Sequence, residues 1–197
     1  SRARREGMAR MASHDASGRE GFLARHGWII GSVAFAVGVA FLLRTFVGMP
    51  YYVPSGSMRD TILEGDMLLG EKVSLRFEPP SQGDIVTFES PLDGETLIKR
   101  VVAVGGQTVD LVDGVVYVDG EALDEPYVGG MPTYSLSDLE GSAGIEYPYV
   151  VPDGCVWVMG DNRTNSKDSR YFGPVSVDDV TSRALFIYWP LSRIGAL

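Results

Sequence analysis

T-L-I-K-R-V-V-A-V, from Thr96 to Val104, is a nine-residue run dominated by branched aliphatic side chains, long and apolar enough to form a central β-strand. Shorter runs of the same kind recur around it between turn signals. They are Met67 to Val73, Asp84 to Phe88, Thr108 to Leu111, Val115 to Val118, Cys155 to Met159 and Arg183 to Trp189. Asp113-Gly114 predicts a tight hairpin, and Asp119-Gly120 is a second turn signal. With 24 glycines and 11 prolines among 197 residues, the composition favours turn-rich β structure over helices. The expected fold is mainly β, an antiparallel sheet or partly open barrel around one core. From about Glu125 to Pro148 the chain is rich in Gly, Pro, Ser and Tyr, which predicts a long loop or lid within the region 120–152.

Upstream lies the one long apolar run, G-W-I-I-G-S-V-A-F-A-V-G-V-A-F-L-L from Gly27 to Leu43. As a helix it measures about 25 Å, close to the hydrocarbon core of a bilayer, so residues 27–48 are expected to form a transmembrane helix and its outer interface. Arg44 would snorkel to the headgroups while Phe46, Val47 and Met49 stay interfacial. A buried helix of a soluble domain is the competing possibility. The flanking R-T-F-V-G-M-P-Y-Y lacks the small residues of a cleavage site, so the segment is expected to be retained. Residues 1–26 are polar and without periodicity, a disordered tail with six arginines against three acids. The net charge is -9, so everything beyond Arg44 carries about -13. This asymmetry puts the tail in the cytoplasm and residues 49–197 outside, and an acidic domain of this kind excludes nucleic acid as a partner. The lone Cys155 excludes an intramolecular disulfide and a multi-cysteine zinc site.

The central strand contains Lys99, which needs a reason in so apolar a setting. Burial disfavours its charged form and lowers its pKa, and reaching about 8 would take roughly 3 kcal/mol of desolvation. A lysine at a strand edge with its head in solvent is the alternative. The other two lysines, Lys72 and Lys167, lie in polar surroundings. V-P-S-G-S-M-R-D-T-I-L-E-G-D, from Val53 to Asp66, places Ser55 and Ser57 around a glycine that lets the backbone turn tightly. One hydroxyl could attack a carbonyl while the other, with a backbone N–H, holds the oxyanion; an ordinary Ser/Gly turn has the same residues. Both histidines, His14 and His26, precede the apolar run, so a Ser-His-Asp triad is excluded if that run spans a membrane. Lysine is the remaining base for a serine nucleophile. M-G-D-N-R-T-N-S-K-D-S-R-Y-F-G, from Met159 to Gly173, can satisfy its own backbone and present hydroxyls and carboxylates to a neighbour. Calcium would be the competing use, but the EF-hand spacing is missing.

P-S-G-S-M with T-I-L-x-G-D, then L-I-K-R-V-V-A-V-G-G, then G-D-N-R-x-N-S-x-D-S-R, in this order behind an apolar helix, resembles bacterial type I signal peptidase, the leader peptidase family. The likeness runs from the helix to Trp189. It implies that Ser57 is the nucleophile, Lys99 the general base, and Ser55 with the Ser57 backbone N–H the oxyanion hole. It implies further that Ser166 orients the lysine, and that Asp161, Arg163, Asp168, Arg170 and Arg100 brace the site through ion pairs and hydrogen bonds. Asp60 stands where the family usually has proline, which should loosen that turn modestly.

The expected protein is a membrane-anchored serine endopeptidase that removes signal peptides from exported preproteins, without cofactor or metal. Its partners would be those preproteins, the lipid bilayer and, nearby, the secretion translocon. Its location would be the plasma membrane, single-pass, with the catalytic domain outside. Tyr51, Val53, Pro54, Met58, Ile62, Leu97 and Ile98 flank the dyad and would line the substrate pockets. A self-cleaving repressor-type Ser-Lys protease and a non-catalytic membrane-anchored β scaffold are the rival assignments.

Overall fold

A computed structural model describes residues 27–41 and 48–197. Residues 27–41 are helical (α1), and their large apolar side chains, Trp28, Phe35 and Phe41 among them, are exposed. At 1.5 Å per residue this length is about 22 Å. Among the described residues no helix is long and apolar enough to cross a membrane. The expected interfacial residues Arg44, Phe46 and Val47 and the expected tail 1–26 lie outside the described residues.

The second unit, beginning at residue 46, is built of antiparallel strands. These are β1 (Gly48–Tyr52), β2 (Met67–Glu71), β3 (Ile85–Glu89), β4 (Thr96–Val104), β5 (Thr108–Val112), β6 (Val115–Val118), β7 (Glu121–Ala122), β8 (Tyr149–Val150), β9 (Cys155–Met159), β10 (Val175–Ser176), β11 (Val180–Trp189) and β12 (Gly195–Ala196). The larger sheet has the order β1-β2-β11-β3-β4-β9-β10, with β12 added to β11. This path does not return on itself, so among the described residues the sheets form no closed barrel. A smaller sheet, β7-β6-β5-β8, carries the two turns predicted from sequence. Asp113 and Gly114 have φ of 51° and 83°, and Asp119 and Gly120 have 52° and 83°. Positive φ at both central residues is what a two-residue turn between twisted strands demands.

The central strand falls where the sequence places it, from Thr96 to Val104, between β3 and β9. Strand β11 starts at Val180 rather than Arg183, and five strands were not anticipated: β1, β7, β8, β10 and β12. Most of these have two residues, and β1 carries glycine and proline, so neither length nor composition announces them. Val53, Met58 and Ile62 join Leu68, Ile85, Ala184 and Ile187 in one buried cluster. A second cluster, Val86, Phe88, Val101, Val156, Val158 and Val175, packs around the middle of the sheet. Trp157 and Met159 lead a third, shared with Val109, Val116 and Val118 of the smaller sheet.

Candidate active site

Residues 96–100 of β4 pair with β3 along one side, Val86 opposite Lys99, but pairing with β9 begins only at Arg100. Thr96 to Lys99 therefore keeps one open edge. Lys99 is 2% exposed, and its Nζ lies 2.8 Å from Ser57 Oγ and donates to the Ile98 carbonyl at 3.0 Å. Burial pulls its pKa down to about 8, against the charges of Asp168 and Asp161, which oppose the shift.

The Ser57 turn is held from three directions. Below it, Met58 and Ile62 are sunk in the core, and Ile62 N–H donates to the Met58 carbonyl at 2.8 Å. From one side Asn162 donates through its backbone to the Ser57 carbonyl (3.0 Å) and through its side chain to that of Gly56 (2.9 Å). From the other, Arg193 donates to the Thr61 carbonyl (3.1 Å) and to buried Asp66 (2.9 Å). The turn that lacks proline at Asp60 is spanned by a two-point pair, Arg59 to Glu64, at 2.7 and 2.6 Å. A Cβ at Gly56 would lie 2.8 Å from both Arg59 Nε and a Glu64 oxygen, so a side chain there would have to displace this exposed pair. Ser55 is exposed, and among the described residues neither its hydroxyl nor the Ser57 N–H is bonded within the chain.

The loop after β9 supplies the braces. Asp161, fully buried, accepts two hydrogen bonds from Arg100 (2.9 and 2.7 Å) and one from Thr61 (2.5 Å), tying β4 to the Ser57 turn. Asp168 caps the short helix α2 (Ser169–Phe172), accepts from Arg170 Nε at 2.8 Å and receives the Gly160 N–H at 3.0 Å. Arg170 also donates to the Arg163 carbonyl at 2.9 Å. Gly160 is more confined than Gly56, because a Cβ would come within 2.5 Å of the Ser57 backbone carbonyl and closer still to the Ser166 side chain.

Ser166 Oγ is buried against Gly160 with no hydrogen-bond partner among the described residues, while Lys99 bonds to Ser57 and to the Ile98 carbonyl. The loop residues that engage Arg163 and Arg100 were missed altogether. Arg163, 2% exposed, is gripped by Glu125 at 3.0 and 2.5 Å and donates to Thr133 Oγ1 at 2.7 Å. Tyr127 donates to Glu125 at 2.9 Å, and its ring lies 4.0 Å from the Arg100 guanidinium, a cation–π contact. Burial, then the Glu125 charge, pushes the Tyr127 phenol pKa up. The loop region thus docks on the segment after β9 through a buried ion pair. Glu125→Gln would leave Arg163 without its counter-charge, and breaking a buried pair of this kind costs about 3 kcal/mol or more. Urea unfolding of the variant should show a loss of that size, and Glu125→Asp a smaller one.

A cleft of about 270 Å³ runs along the open edge of β4 to Ser57 and Lys99. Tyr51, Val53, Pro54, Met58, Ile62, Leu97 and Ile98 all line it, with Tyr52, Glu95 and Thr96 added by the structure. Among the described residues no group of three or more His, Cys, Asp or Glu is placed to hold a metal ion. A hydroxyl in hydrogen-bond contact with a buried amine, beside an unpaired strand edge, is the layout of a serine hydrolase acting on extended peptides.

The chain belongs to the signal peptidase family, peptidase S26, whose model matches residues 26–189. A probable signal peptidase I-1 of Synechocystis sp. is 44% identical over 170 residues, covering 82% of both chains. The signal peptidase I of Leptolyngbya laminosa is 36% identical over 176 residues, covering 85% of this chain and 82% of that one. A crystal structure of a signal peptidase I from Enterococcus faecalis matches with a TM-score of 0.45 at 33% identity, over 54% of this chain and 97% of that one.

Proposed function

We propose that the protein is a serine endopeptidase that removes signal peptides from exported preproteins, with Ser57 as nucleophile and Lys99 as general base. The observation that carries this is the 2.8 Å contact between Ser57 Oγ and a lysine held away from water. With its amine neutral, Lys99 accepts the Ser57 proton as Oγ attacks the scissile carbonyl, then returns it to the leaving amine. Water, deprotonated by the same amine, hydrolyses the acyl-enzyme. The unspent Ser57 N–H and Ser55 hydroxyl are the donors for the oxyanion. Asp161, Arg100, Asp168, Arg170 and Arg163 hold the Ser57 turn, β4 and the loop after β9 in register. Ser166 borders this assembly, and we assign it the orienting of Lys99 when substrate displaces the resting contacts.

The substrate would lie extended along the open edge of β4, so that alternate side chains enter the cleft. The apolar walls from Met58, Ile62, Leu97 and Ile98 suit small residues at the first and third positions before the cut. The apolar exposed surface of α1 suits a helix in lipid, with the N-terminal tail in the cytoplasm, residues 49–197 outside and the secretion translocon nearby. The test is to incubate the full chain with a preprotein whose signal ends in A-x-A and to sequence the new N-terminus. Cleavage after the second alanine that disappears in Ser57→Ala supports the assignment; cleavage that survives the substitution refutes it.

A further inference from the structure

We propose that Glu95 selects the charge of the substrate residue four or five positions before the cut. This rests on the reading above that the residues before the cut lie between the Ser57 turn and β4. Among the described residues Glu95 and Lys99 are the only charged side chains lining the cleft, and they sit at opposite ends of the open edge. Four residues of strand separate them by about 13 Å, the same span that four residues of an extended peptide cover from the scissile bond.

The two charges differ in what they are free to do. Lys99 is buried against Ser57, whereas Glu95 is exposed and its carboxylate forms no ion pair or hydrogen bond among the described residues. Its backbone is nevertheless fixed. The Glu95 N–H donates to Asp93 at 3.1 Å, its carbonyl accepts from Ser90 at 2.8 Å, and Gly94 closes the same turn on Ser90 at 2.9 Å. A fixed backbone with an unengaged carboxylate at a cleft mouth is placed to meet an incoming charge. Asp93, two residues upstream, adds field of the same sign, though Lys167 answers it in part. A substrate cation there is attracted and a substrate anion repelled, each by the modest amount typical of solvated pairs.

The experiment uses the full chain in neutral detergent and preprotein peptides ending in A-x-A that carry lysine or glutamate at position -4 or -5. The ratio of kcat/KM for the lysine peptide to that for the glutamate peptide should be about 3- to 10-fold at one of these positions in low salt. Glu95→Gln should bring that ratio toward one, Glu95→Lys should invert it, and 1 M salt should flatten it by screening. A ratio near one at both positions, or one that Glu95→Lys leaves unchanged, overturns the assignment while cleavage at the A-x-A junction still upholds Ser57 and Lys99. Cleavage at another bond, or cleavage surviving Ser57→Ala, overturns both.

Discussion

Lys99→Met is expected to lower kcat/KM by about 10²- to 10⁴-fold, the usual contribution of a positioned base, and at the same time to stabilise the β domain at pH 7. Methionine keeps the length of the side chain but has no charge to desolvate. The lysine pKa falls from 10.5 unfolded to about 8 folded, so near pH 7 the folded state holds a buried ammonium at a cost of up to about 3 kcal/mol. The sign follows from proton counts. Between pH 8 and 10.5 the unfolded chain binds more protons, so wild-type stability rises with pH through that window. The advantage of the variant should therefore be full below pH 8 and fade by about 10.5. Urea unfolding at pH 7 and pH 10 measures it, and a variant less stable than wild type at pH 7 would show that the buried amine is not under strain.

The second large effect is on rate. Only the neutral amine can accept the Ser57 proton, so kcat/KM should climb about tenfold per pH unit below 8 and level off above it. At pH 6 the enzyme should work at roughly a hundredth of its plateau rate. The profile of kcat/KM reports the free enzyme, which is the state described here. A midpoint near the ordinary lysine value, or a flat profile between pH 6 and 10, would remove Lys99 from the role of base.

Much of this was legible from the chain because it is encoded locally. Nine consecutive residues specify β4, and Asp-Gly pairs specify two hairpins through the φ values they tolerate. Elimination among few candidate bases pointed to Lys99, the resemblance implied Ser57 as its partner, and the structure brings the two within 2.8 Å. What was hidden is what depends on distant sequence. Glu125 meets Arg163 across 38 residues, and Arg193 reaches Thr61 across 132, with no local pattern marking either partner. The unbonded hydroxyl of Ser166 is hidden for a related reason. A motif can name a residue, but whether its proton finds an acceptor depends on ångström-scale placement.

The docking of the Gly- and Pro-rich segment by Glu125, Tyr127 and Thr133 divides that segment into two zones of different tolerance. Residues 125–133 are pinned to the machinery around Ser57, and a nick or an inserted residue there should be felt as lost turnover. Residues 138–144 are mostly exposed and touch the rest through a few bonds, such as those between Tyr171 and residues 140 and 143. That outer stretch is where a protease would cut first, and where an epitope tag or affinity handle could be grafted without slowing the enzyme.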